Sequence, residues 1–493
     1  MTEELSGKFW LHGECYFGAL LLSGKNSKLR LFADKQFPPV PDAYRTVTGE
    51  LFDGRSVSVL DCVLQDIRNA SMGAPKTPSE HQAKSVATLF PHYVCLGSRT
   101  LSESDVSIST ISFFMKDAIS VFYEFDDFGS VLNPEPFKEL LRRDKEKIRP
   151  LNLGDVPIIK YFTGRFELAR VEVPDGVVIA SHRPVESFGG PRGVRIENRV
   201  QVRLEFFEPR ILREALDGLS NLVRFFETTI GRPQDLSDIR LGLVDESDGV
   251  GLDLVRSFET KHRPSRRPDR RPGPRDVLLC TLEQREQLQG VLSEYARTDE
   301  ERRGARWRFR ASLARKGYSI DRIVAAANMF DIFPETAYPR AELPEALASA
   351  AKLADQLFRP LPESPERSSI LVALKKLGDR TLKQKVRFRA QSTGLDELFP
   401  GLLEILDDAV DCRNHYVHGF KPKLDYDANF EAVCLFTNAL EFVFGASDFI
   451  DCGWDIHCWK EGHPQDEHPF GSFVIDYRGQ RDRYIALKKR KKQ

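Results

Sequence analysis

The fifteen residues Lys261–Arg275, KHRPSRRPDRRPGPR, separate two halves of the chain that follow different periodicities. Their prolines remove backbone donors and force extended neighbours, so this stretch can be neither a helix nor a central strand. It reads as a linker or exposed loop. Before it come short, β-rich or alternating segments: GKFWLHG, FGALLLSG, KLRLFAD, TVTGELFDG and SVSVLDCVLQ, then TLFPHYVCLG, SISTISFFM, VPIIKYFTGRFELARVEV, VVIASH and VRIENRVQVRLEFFE. Glycine, aspartate and asparagine turns space them, which predicts strands. Two helical patterns interrupt: PEPFKELLRRDKEKI and ILREALDGLSNLVRFFETTIG. In the second, Leu212, Ala215, Leu219, Leu222 and Phe226 recur at helical spacing.

After the proline-rich stretch the period changes. Thr281 to Gln284 fits a capping box opening a helix. Helical patterns follow at 300–316, 319–331, 343–358, 367–377, 381–391, 395–412 and 427–444. The 395–412 segment puts Leu398, Leu402, Ile405, Leu406 and Ala409 on one face, and 427–444 repeats Phe430, Val433, Thr437, Leu440 and Phe444. At 493 residues the chain is too long for one core. The expected fold is α+β multidomain, a β-rich, sandwich-like N-terminal region followed by an all-α bundle. The expected division is 1–257, a linker or loop at 258–276, a helical domain at 277–450, and a C-terminal extension at 451–493 with a basic tail. No repeat of 20–50 residues is visible.

Composition excludes several classes. The chain is 41% hydrophobic and 29% charged with net charge −1, so it makes no global electrostatic claim on nucleic acid. No apolar run approaches the ~20 residues that span a bilayer, and MTEELSGKFWLHGE is not a signal peptide. Eight scattered cysteines suggest reduced thiols in a cytosol. The basic stretch at 261–275 and the tail KKRKK read as a solvated linker and tail, or as phosphate attraction. Cys452, His457, Cys458, His463 and His468 lack regular zinc spacing, and Trp454 and Trp459 read as packing anchors. Walker A, GxGxxG, GxSxG and HExxH are absent, so nothing marks an NTPase, dehydrogenase, hydrolase or zincin.

One hexapeptide carries chemistry: Arg413-Asn414-His415-Tyr416-Val417-His418, followed by Gly419. Arginine can hold a scissile phosphate and histidine can move a proton, a kit for cutting RNA without a metal. R-x4-H alone is weak, and Arg256 with His262 is a decoy of similar spacing. Here an amphipathic helix precedes the motif, and Gly419 can end that helix. Residues five apart lie about 140° apart around an ideal helix, so convergence of Arg413 and His418 needs a helix terminus or a second copy of the motif. The bland alternative is a surface arginine and a helix-end histidine meeting the dipole.

The hexapeptide resembles the RNxxxH signature of HEPN ribonucleases. Gly18-Ala-Leu-Leu-Leu, Thr48-Gly-Glu-Leu-Phe-Asp-Gly-Arg, Val59-Leu-Asp-Cys-Val, Ile158-Ile-Lys-Tyr-Phe-Thr-Gly, Val200-Gln-Val-Arg-Leu-Glu-Phe and Leu219–Ile230 resemble the domain preceding HEPN in ApeA-like anti-phage proteins. The resemblance implies a cytoplasmic defence ribonuclease: an N-terminal region sensing a phage-derived trigger, a nuclease held inactive until infection, and HEPN bundles pairing as a homodimer or higher oligomer. It implies His418 as general base or acid on the ribose 2′-OH, Arg413 stabilising the pentacoordinate phosphate, Asn414 orienting them, and products with 2′,3′-cyclic phosphate and 5′-OH ends. No cofactor, metal or membrane enters this reading, and transfer RNA is the substrate class to test. His415 is outside the minimal signature and reads as a spectator of the chemistry; with Arg413 and Lys421 it is a candidate RNA contact. A polar residue on an earlier helix is expected to join, with Asp331 and Arg322 as candidates. The alternative is a non-catalytic HEPN module that only binds RNA or protein.

Overall fold

The computed structural model describes residues 3–37, 45–69, 85–132, 135–146, 152–187, 191, 193–244, 251–258, 271–315, 317–340 and 342–492. Most of the proline-rich stretch, including His262 of the decoy pair, lies outside the described residues. The chain forms two compact units, one of residues 1–230 and 234–296, the other of 231–233 and 297–493.

In the first unit, strands β1 (Glu3–Leu11), β2 (Glu14–Leu22), β3 (Lys28–Ala33), β4 (Val47–Leu51), β5 (Ser56–Asn69) and β6 (Ser85–Gly97) pair in the order β6-β3-β2-β1-β4-β5. Pairing of β5 with β6 closes the ring into a six-stranded barrel. Period-two alternation makes closure possible: along β1 every second residue from Leu5 is buried. Phe9, Leu20, Leu29, Leu31, Val47, Val57, Val59 and Leu89 belong to this core. Phe9 needs glycine neighbours. A Cβ on Gly18 would lie 2.7 Å from its ring, and one on Gly49 2.8 Å away.

Strand β6 is long enough to leave the barrel. Its start pairs with β3 and its end with β16 (Gly251–Arg256). From there the sheet runs open through β15 (Leu236–Leu243), β7 (Ile108–Met115), β14 (Val200–Arg210) and β11 (Gly176–His182) to β10 (Glu167–Val173). The β-rich expectation thus takes the form of a barrel continued by an open sheet. Short β8 (Phe128–Leu132) pairs with β9 (Ile158–Phe162), and β12 (Val185–Glu186) with β13 (Ile196–Glu197). Helices α1 (Ala118–Val121) and α2 (Glu135–Glu146) are short. Helix α3 (Leu212–Ile230) packs on β7 and β14, burying the five residues its spacing singled out. Helix α4 (Thr281–Arg297) opens at Thr281, but not with the expected capping box. Its hydroxyl instead accepts from Tyr123 N (2.9 Å) and donates to Tyr123 O (3.0 Å).

The second unit is helical: α5 (Asp299–Leu313), α6 (Ile320–Ile332), α7 (Glu345–Phe358), α8 (Pro365–Lys375), α9 (Leu382–Ser392), α10 (Leu395–Leu398), α11 (Leu402–His418), α12 (Phe430–Asp451), α13 (Ile456–Glu461) and α14 (Pro469–Lys492). The pattern at 395–412 breaks in two. Pro400 cannot continue a helix and Gly401 adopts φ +83°. Helix α12 is long and apolar enough to cross a membrane, contrary to the reading of the sequence, but 83% of its apolar window is buried in the protein. It is the bundle's central helix, packing against α5, α6, α9, α11 and α14.

The C-terminal extension packs onto the bundle, while Lys489 and Arg490 of its basic run are exposed. Helix α14 buries Phe470, Phe473, Tyr477 and Tyr484, with Phe473 stacked on Phe442 at 4.4 Å. Lys488, from the basic run, reaches Asp408 and Glu404 at 2.6 Å each. Trp454 and Trp459 are buried as packing residues. All eight cysteines are free thiols, and burial pushes those of Cys62, Cys95, Cys412 and Cys452 up to about 12.

Candidate active site

Helix α11 buries Leu402, Ile405, Leu406, Ala409, Val410 and Cys412, which fixes its rotation and leaves the last turn half-buried or exposed. Gly419 ends it in the left-handed region (φ +69°), donating its N–H to His415 O at 2.9 Å. His418, the last helical residue, is thus free of the constraint that separates residues five apart. Its Nε2 lies 3.0 Å from Arg413 Nη1. A guanidinium only donates, so Nε2 accepts and carries no proton in this arrangement. The two residues therefore converge within one chain, and a second copy is not needed to bring them together.

Arg413 is the hub. Its Nη1 also donates to Asn414 Oδ1 (3.0 Å), and its Nη2 to Asn328 Oδ1 (2.9 Å). Its Nε is buried without a hydrogen-bond partner. Asn328 comes from α6 and ties that helix to the motif. Neither candidate from the sequence does this. Arg322 makes a buried bidentate pair with Glu441 (2.8 and 2.7 Å), and Asp331 meets Lys385 at 3.5 Å. Asn328 was legible in one respect. It is a polar residue inside Ile323-Val-Ala-Ala-Ala-Asn-Met-Phe330, where Ala326, Ala327, Met329 and Phe330 are buried.

His415 points elsewhere. Its Nδ1 donates to Phe420 O at 2.6 Å, because a carbonyl can only accept. Its ring lies 5.0 Å from that of Tyr416 and 5.6 Å from that of Tyr426. His415, Tyr416, Lys421, Pro422 and residues 424–427 line an open depression of about 440 Å³. Arg413, Asn414 and His418 thus form one cluster, and His415 and Lys421 line a neighbouring surface.

Below the motif, Asp408 is buried on α11 and accepts from Lys423 (2.8 Å), Tyr484 (2.7 Å) and Lys488 (2.6 Å). Burial pushes its carboxyl up, but those three donors outweigh burial and hold it below the ordinary carboxylate value. Lys423 also pairs with Asp411 at 2.5 Å. The loop after the motif is thereby pinned to the helix that carries it.

Among the described residues no three His, Cys, Asp or Glu side chains converge as metal ligands. Cys452 sits 3.8 Å from Arg306 Nη2, and His468 Nδ1 accepts from Phe470 N.

The model of ApeA N-terminal domain 1 matches residues 4–295, more than half of the chain. The chain belongs to the ApeA family. The model of Apea-like HEPN matches residues 324–456, which include Asn328 on α6 and the whole hexapeptide on α11. This is an anti-phage HEPN-domain protein with an ApeA N-terminal domain. No curated protein and no solved structure matches it.

Proposed function

We propose that this ApeA-family chain is a metal-independent endoribonuclease, with Arg413, Asn414 and His418 as its catalytic residues. The observation that supports this is the joining of Arg413 to His418, Asn414 and Asn328 at an exposed helix end. When a scissile phosphate takes the guanidinium, His418 Nε2 is released as a base. It takes the proton of the ribose 2′-OH as that oxygen attacks phosphorus. Arg413 stabilises the charge that builds on the phosphoryl oxygens. The 5′ oxygen leaves and takes a proton from water, giving a 2′,3′-cyclic phosphate and a 5′-OH. DNA lacks the nucleophile and is not cut.

On this reading the region 1–257 senses a phage-derived trigger in the cytoplasm, and the domain at 277–450 is the nuclease it releases. The motivation for a held state is that free ribonuclease would poison its host. In the resting geometry Arg413 is engaged by its neighbours, which supports a site that substrate must open. Two copies pairing through the HEPN domain would frame the RNA cleft. The test is cleavage of transfer RNA by purified protein with and without lysate of phage-infected cells. Free cleavage by the resting protein would refute the held state.

A further inference from the structure

The depression next to the motif has a chemistry of its own. Its lining includes the aromatic residues His415 and Tyr416, half-buried, and Tyr426, buried, together with one cation and two carboxylates, Lys421, Asp425 and Asp427. Asp425 is partly used, since Oδ1 accepts from Ala428 N at 3.0 Å. Lys421 and Asp427 are exposed, and neither makes a hydrogen bond or ion pair among the described residues. His415 bonds Phe420 O and so fixes the loop over the helix end. Phe420 is 59% exposed, and its ring centroid lies 5.7 Å from that of His418. A large apolar ring left in water beside the reacting imidazole is a stacking face for a base.

We propose that this depression is a guanine subsite flanking the scissile phosphate, an assignment that rests on the endoribonuclease reading. An aromatic lining accepts any base, so the charged groups must choose. One carboxylate accepts two parallel hydrogen bonds from N1–H and N2–H of guanine, and an ammonium donates to O6 or N7. Asp427 and Lys421 supply that pair of opposite charges. Adenine and cytosine offer the carboxylate a single amino group, and uracil offers one ring N–H. Phe420 stacks the nucleotide on the other side of the cut.

The test is fluorescence anisotropy of the full chain with single-stranded thymidine deoxyoligonucleotides carrying one central guanine, hypoxanthine or adenine. These probes lack the 2′-OH and cannot be cut, so binding is read whether or not the protein is a nuclease. The guanine probe should bind about tenfold more tightly than the adenine probe. Hypoxanthine, without the 2-amino group, should fall between. Asp427→Asn should erase the preference with unchanged thermal stability, since the side chain is exposed, and Phe420→Ala should weaken all probes alike. Equal affinity for guanine and adenine, no binding of any probe, or a preference that survives Asp427→Asn overturns the assignment. Guanine preference without RNA cleavage in the presence of lysate of phage-infected cells would instead leave the subsite standing and refute the nuclease.

Discussion

Replacing Asp408 with alanine removes one carboxylate that three elements share, and the structure sets the size of the loss. Tyr484 is 3% exposed, and its hydroxyl donates to Asp408 at 2.7 Å. Left unpaired, that hydroxyl costs about 1–3 kcal/mol. Lys488 keeps Glu404 at 2.6 Å, and Lys423, with a half-exposed side chain, keeps Asp411 at 2.5 Å. Both ammonium groups can therefore find other company, and neither adds the full cost of a stranded buried charge. With a small cavity term the total is about 2–4 kcal/mol. For a helical unit of this size that corresponds to a fall of about 5–15 °C in Tm. Asp408→Asn keeps an acceptor for Tyr484 and should lose about half as much. Thermal and urea unfolding of the full chain, followed by far-ultraviolet circular dichroism, reads both variants. A change within about 0.5 kcal/mol for Asp408→Ala, the range of an ordinary surface site, would refute the view that this carboxylate joins α14 and the motif loop to α11.

Three further predictions rest on single contacts. Asn328→Ala should leave the fold intact but lower kcat about tenfold to a hundredfold, because Arg413 loses its bond to α6 and its aim; unchanged kinetics would remove Asn328 from the site. Gly49→Ala should destabilise the barrel by about 1–3 kcal/mol in chemical denaturation, since its Cβ would meet Lys8 O and the Phe9 ring at 2.8 Å. Burial pushes the Asp448 carboxyl up, but Arg306 and Arg302 outweigh it and hold it below its ordinary value. Such a depressed group stabilises the fold above the unfolded-state carboxylate value and loses that contribution as pH falls through its folded value. Stability of the helical unit should therefore hold down to about pH 4 and decline below it, and an acid titration of unfolding that shows no decline there would contradict it.

The sequence revealed elements better than it revealed joints. Alternation in β1 and helical spacing in α3 predicted their buried faces because each is a local property of one segment. Closure of the barrel was not visible, since it depends on β5 and β6 pairing across a chain segment with no pattern of its own. Helix α14 was hidden because its polar and basic residues mask four buried aromatics, and only Asp408 and α12 reveal which face they cover. At the site, the hexapeptide stood out through its residue types. Convergence of Arg413 with His418 did not, because it depends on Gly419 releasing the last residue of the helix. Asn328 lies 85 residues before Arg413, and its role follows only from α6 packing against α11.

The most direct measurement is RNA cleavage in EDTA by the purified full chain, with lysate of phage-infected cells present, comparing wild type with Arg413→Ala and His418→Ala. Wild type should cut and leave 2′,3′-cyclic phosphate and 5′-OH ends. Each variant should be slower by about 10²–10⁴-fold, and His418→Ala should unfold at the wild-type temperature, since His418 is exposed. Cleavage by His418→Ala at the wild-type rate, or products with 3′-OH and 5′-phosphate ends, would contradict the account.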